Sequence, residues 1–284
     1  MQTLVRKPAV AGLFYERDPD ALRAQLEWCF THRLGPGRLP EEAGGVEPSI
    51  GFIVPHAALN YSGPVAAHAY ARMRLEGKPE TIIVIGPNHT GLGAKVAVSP
   101  PSRWETPLGV LEVDGELAEK IVRESSYAEL DMKAHLFEHS IEVQLPFIAY
   151  LYGTDVRIVP VVLWDQDARI AEDLGSALAS ALEATGRRAV VVATTNLTHY
   201  QPLSVAREHD KKIIDCVMSL DYRCIYDVVE KMGSTMCGPG AVATLIVYSR
   251  RKGGRRAELL AYATSGDITG DTSSVVGYAS MRVY

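Results

Sequence analysis

The sequence predicts an α/β protein: a single layered domain over residues 1–284, with a mostly parallel central sheet flanked by helices. Three observations predict it. Apolar, β-branched runs recur along the chain and read as strands buried on both faces. Segments of helical periodicity separate them. No Gly-, Pro- or polar-rich stretch is long enough to link two domains, and no internal repeat or low-complexity tract occurs.

The elements follow in chain order. Asp18 and Pro19 open a helix, with Asp18 as N-cap and Pro19 at the first helical position. Leu22, Leu26, Cys29 and Phe30 then share one face. Residues 34–48 are rich in Gly, Pro and Glu and read as a loop. Strands are expected at 50–54, 81–85 and 95–99. Ile141, Leu145, Ile148 and Tyr152 form a second helical stripe, in which Pro146 bends or restarts the helix. A strand at 156–163, a helix at 168–185, a strand at 189–195 and a helix at 205–220 come next. Residues 240–250 are helical. Residues 250–256, a basic turn with Gly253 and Gly254, read as a solvated loop rather than a phosphate site. Strands at 258–263 and 275–283 end the chain.

Composition excludes several classes. With 47% hydrophobic and 22% charged residues, the chain can bury a core and is neither disordered nor collagen-like. Lys and Arg total 29 against 34 Asp and Glu, so no basic face for nucleic acid is expected. No apolar stretch approaches the roughly 18 residues of a membrane span. Residues 1–10 lack the apolar core of a secretory leader. The four cysteines, Cys29, Cys216, Cys224 and Cys237, form no C-x-x-C pair. A reducing cytoplasm is expected, with cysteine serving by default as a small buried hydrophobe.

Three histidines stand just beyond strand ends. His56 follows the first strand through Pro55. His89 follows the second through Gly86, Pro87 and Asn88, and His199 follows 189–195 through Asn196, Leu197 and Thr198. Open α/β sheets bind ligands outside the carboxyl ends of their strands, so one shared cleft is expected. Imidazole is the commonest metal ligand and the usual base near neutral pH. Cys237 sits in a Cys-Gly-Pro-Gly turn that opens the 240–250 helix, where the helix N-terminus favours thiolate. Two imidazoles and a thiolate suit Fe, Zn or Cu.

A competing motif overlaps this set. His135, Glu138 and His139 match H-x-x-E-H, the inverted zinc-protease pattern, with Glu208 as a distant third ligand. The pattern is short, and Pro146 cuts the helix it needs, so zinc at His135 and His139 is not expected.

Several segments, in one order, resemble the Memo family, the B component of the AmmeMemoRadiSam gene set. They are Arg6 to Tyr15, Val54 to Gly63, Gly86 to His89, Glu105 to Gly109, Glu138 to Pro146 and Cys237-Gly238. The resemblance implies a fold like that of class III extradiol dioxygenases, which are non-haem iron enzymes. It implies His56, His89 and Cys237 as metal ligands for Fe(II) or Cu, with the site empty or filled as purified. It implies His199 as the acid/base. His139, Glu142, Asn196 and Tyr61 would line the substrate pocket. His139 and Glu142 would face the same way if one helix carried both. Family members often carry Asp where this chain has Asn196, which removes a negative charge beside the metal.

Two functions follow from the resemblance. One is redox or dioxygenase-like chemistry at the metal. The other is a non-catalytic module that uses the cleft for a peptide or small anionic ligand, because Memo proteins of higher organisms are described as phosphotyrosine-binding adaptors. Tyr15, Asn60, Tyr61 and Tyr200, with Arg side chains, would line such a pocket. The expected partners are therefore a small molecule or peptide, with no nucleic acid and no membrane; oligomeric state is left open.

Overall fold

A computed structural model describes residues 4–284. The reading of the N-terminal segment falls partly, at residues 1–3, outside the described residues. In chain order the strands are β1 (Leu4–Arg6), β2 (Gly51–Val54), β3 (Thr81–Pro87), β4 (Val96–Val98), β5 (Ser102–Thr106) and β6 (Gly109–Val113). They continue as β7 (Ala128–Leu130), β8 (Arg157–Leu163), β9 (Ala189–Thr194), β10 (Ala257–Thr264) and β11 (Gly277–Val283). The helices are α1 (Pro19–Thr31), α2 (Leu59–Leu75), α3 (Gly115–Glu124), α4 (Leu145–Tyr152) and α5 (Ala168–Thr185). Then come α6 (Leu203–Met218), α7 (Tyr222–Met232), α8 (Pro239–Arg251) and the single turn α9 (Gly266–Thr269).

One mixed, mostly parallel sheet runs in the order β1-β5-β6-β8-β3-β9-β2-β11-β10. Its centre, β8-β3-β9-β2, is parallel throughout. The centre is also the most apolar part: β2, β3 and the last six residues of β8 are fully buried. Each buried Val or Ile side chain there contributes about 1.5 to 3 kcal/mol. β11 and β10 turn antiparallel at one edge. Helices cover both faces. α1 packs on α2 and α4, and α2 rests on β2, β10 and β11. α5 packs on α8, which covers β2, β3 and β9.

The expected strands are present, most with ends shifted by one or two residues. Asp18 caps α1 by accepting from the Asp20 and Ala21 N–H groups. Pro146 restarts the helix: a 3₁₀ turn, Glu142–Gln144, leads into α4. Four short strands and the helices α2, α3 and α7 were missed. β1, β5, β6 and β7 are three to five residues long and not continuously apolar. α2 is buried on most sides, so it shows no apolar stripe, and Gly63-Pro64 reads as a break. Gly63 is required there: a Cβ would lie 2.4 Å from Cys29 Sγ of α1.

Cys216 and Cys224 correct the cysteine reading. They form a disulfide, with Cα atoms 5.5 Å apart, across the α6–α7 turn. Eight residues of separation offered no recognisable motif. Cys29 and Cys237 are free. Thiol titration of denatured, unreduced protein should therefore find two thiols, and four after reduction; four before reduction would contradict the pairing. Among the described residues no helix is long and apolar enough to cross a membrane.

Candidate metal centre

The parallel strands set the site. Val54 of β2 pairs with Thr194 of β9, and Ile85 of β3 pairs with Ala193. The carboxyl ends of β2, β3 and β9 therefore lie along one edge, and the chain beyond each delivers a His to the same cleft. The His56 and His89 ring centroids are 5.2 Å apart. Cys237, just before α8, brings its Sγ to 3.2 Å from His56 Nε2.

Each side chain is held from behind. His89 Nδ1–H donates to Glu138 Oε1 at 2.8 Å, and Glu138 also accepts from the His89 and Ser140 backbone N–H groups. Gly86 permits this approach, since a Cβ there would lie 2.6 Å from Ser140 Oγ. His56 Nδ1 meets Thr194 Oγ1 at 2.7 Å, and the His56 N–H donates to Asn196 Oδ1 at 3.0 Å. His199 Nδ1 lies 2.9 Å from the Thr235 carbonyl, which can only accept. That contact fixes a proton on Nδ1 and turns Nε2 toward Cys237; burial would lower the His199 pKa, but the hydrogen bond and charge of Cys237 raise it. The Asn196 N–H donates to Cys237 Sγ at 3.2 Å.

The electrostatics follow from these contacts. Burial would raise the Cys237 pKa, but His56 and hydrogen bonds from His199, His56 and His89 hold it well below the usual thiol value. Burial opposes charge on His89, yet Cys237 and Glu138 raise its pKa to about 9. Burial would raise the Glu138 pKa; the contact with His89 and the Ser140 N–H bring it down to about 2. Burial, then His56, depresses His139 to about 4. The arrangement is a thiolate surrounded by imidazoles, a donor set for soft and borderline metals.

A cavity of about 660 Å³ opens over these groups. His56, His89, His139, Asn196, His199 and Tyr61 all line it. Several residues expected in the pocket do not line it. Glu142 is 1% exposed and lies elsewhere. Its carboxylate is consumed by Arg6, by the Ala9 and Val10 N–H groups and by Tyr15 Oη–H. His139 precedes the 3₁₀ turn instead of sharing a helix with Glu142, so the i, i+3 argument did not apply. Tyr15 is buried against Glu142, and Asn60 accepts from Gln25 Nε2, so neither lines the cavity. Among the described residues no Arg or Lys lines it either; Tyr200 does.

The protease pattern does not form its helix. His135 ends a separate 3₁₀ turn, Lys133–His135, and packs on Trp104, while His139 stands beside His56 and His89. Sequence reasoning missed Glu138, Thr194 and Thr235 as the groups that orient the three histidines. Glu138 adjoins His139 in a quoted motif, but only the folded turn shows that it serves His89.

Comparison with known proteins identifies the chain. Residues 6–282 match the family described as Memo-like protein. The chain belongs to the Memo family. A MEMO1 family protein of Methanothermobacter thermautotrophicus is 52% identical over 98% of this chain and 100% of its own length. One from Methanopyrus kandleri is 47% identical over 97% of this chain and 98% of its own. The crystal structure of an uncharacterized protein from Escherichia coli K12 shares the fold, with a TM-score of 0.57 and 15% identity over 82% of this chain and 99% of that one.

If the imidazoles of this Memo protein hold a metal, the carboxylate that orients His89 gives a test. Partners behind metal-binding imidazoles typically contribute about 10- to 100-fold in metal affinity. Glu138→Gln should weaken metal binding by about that factor. Unchanged affinity by competition titration would count against an orienting role.

Proposed function

We propose that this Memo protein holds one iron or copper ion through His56, His89 and Cys237 and uses it for redox or dioxygenase-like chemistry. The observation that carries the reading is the 3.2 Å contact of Cys237 Sγ with His56 Nε2 beside the His89 ring. Ligands about 2.0 to 2.3 Å from one ion lie roughly 3 to 4 Å apart, so Cys237 and His56 need little movement. When bound, the metal supplies Lewis acidity, one-electron redox capacity and open coordination positions.

The chain's own groups do the rest. Glu138 and Thr194 fix the rings of His89 and His56. His199, with its Nδ1 proton held at the Thr235 carbonyl, presents Nε2 to the cleft as the acid/base that accepts a substrate proton. Phe14, Tyr61, Tyr200 and Tyr278 wall the cavity and give a small molecule apolar and stacking surface. His139 and Asn196 line the inner wall. A cytoplasmic setting would keep Cys237 reduced.

A second reading is a binding module for a small ligand or peptide, supported by the same aromatic wall. With no cation side chain in that wall, an anionic ligand would meet only His, Tyr and Asn donors. Co(II) loading separates the two. The metal reading expects a sulfur-to-metal charge-transfer band that disappears in Cys237→Ser. The absence of that band in the unsubstituted protein would leave the binding module.

A further inference from the structure

The ring nitrogens beside the thiolate outnumber the two that the proposed ligand set uses. One ring nitrogen from each of His56, His89 and His139 lies within 4.8 Å of the others. The His139 ring stacks on His89 at 4.4 Å and 25°, and meets His56 edge-on at 5.5 Å. Phe14 backs it at 4.8 Å. A single carboxylate oxygen, Glu138 Oε1, faces Nδ1 of His89 at 2.8 Å and Nδ1 of His139 at 3.5 Å. That leaves Nε2 of both rings free of a carboxylate partner. Cys237 Sγ meets His56 Nε2 at 3.2 Å, so His56 touches both the thiolate and the His139 ring.

We propose that His139 is a further metal ligand, so that a borderline divalent cation such as Zn(II) or Cu(II) is held by three imidazoles and stays bound without Cys237. The inference rests on the metal reading above and extends its ligand set. Three nitrogens suit borderline divalent ions, whereas the thiolate side favours soft Cu(I). Two ligand sets of different softness would then share His56 and His89, with His139 in the cavity wall.

The test is Zn(II) titration of the full chain and its variants under anaerobic conditions, with circular dichroism as the folding check. Cys237→Ser should keep stoichiometric Zn(II), weakened by about tenfold. Adding His139→Ala in that background should cost at least about a further 100-fold. Pulsed EPR of the Cu(II)-loaded Cys237→Ser protein counts coordinated imidazoles without touching His139, and three are expected. Two imidazoles, or Zn(II) affinity indifferent to His139, would overturn the proposal while leaving the thiolate site standing. Loss of all binding in Cys237→Ser would do the same. Unsubstituted protein that binds no metal would overturn both readings.

Discussion

Replacing Glu142 with Ala should lower the unfolding free energy by about 3 to 5 kcal/mol. Arg6 and Glu142 are an ion pair whose side chains are each 1% exposed. The Glu142 carboxylate also accepts from two backbone N–H groups and Tyr15 Oη–H. Its removal leaves a buried guanidinium without its counter-charge, and that desolvation penalty dominates. The effect should also reach the site. Arg6 donates to the carbonyls of His135 and Glu138, and so pins the turn whose carboxylate orients His89. Urea unfolding of the Glu142→Ala protein measures the loss. A change below about 1 kcal/mol would place the pair among those of little net worth.

Acid should destabilise the protein through His135 by roughly 3 to 5 kcal/mol. Burial, then the charge of Arg6, lowers its pKa from 6.5 to about 3. Between those values the unfolded chain holds a proton that the folded chain lacks. Stability therefore rises with pH through the window, is fully present above about 6.5 and is lost as pH falls toward 3. The His135 ring makes no close hydrogen bond among the described residues, with only the Ala97 backbone facing it, so His135→Leu sacrifices little. Unfolding free energies at pH 7 and pH 4.5 should differ less in His135→Leu than in the unsubstituted protein. Equal differences would show that other groups carry the acid limb.

The centre of the sheet was legible because β2, β3, β8 and β9 are continuous apolar runs whose burial on both faces leaves an unmistakable pattern. The convergence of His56, His89 and His199 was legible for the same reason: parallel strands in register put their ends on one edge. α2 escaped because burial on most sides erased its periodicity. Glu142 was misassigned because its four partners come from residues 6–15, more than 120 positions away, and no local spacing reports them. Glu138 was noticed for the wrong chemistry: next to His139 it suggested a protease base, but the fold turns it toward His89. The Cys216–Cys224 pairing depends on how α6 meets α7, which composition does not reveal.

His56 and His89 are common to every ligand set proposed for the metal centre. Metal analysis of anaerobically prepared protein, titrated with Fe(II) and with Cu(I), tests it most directly. About one ion per chain is expected in the unsubstituted protein and none in folded His56→Ala. Binding that is indifferent to His56, or no binding of either ion, would contradict it.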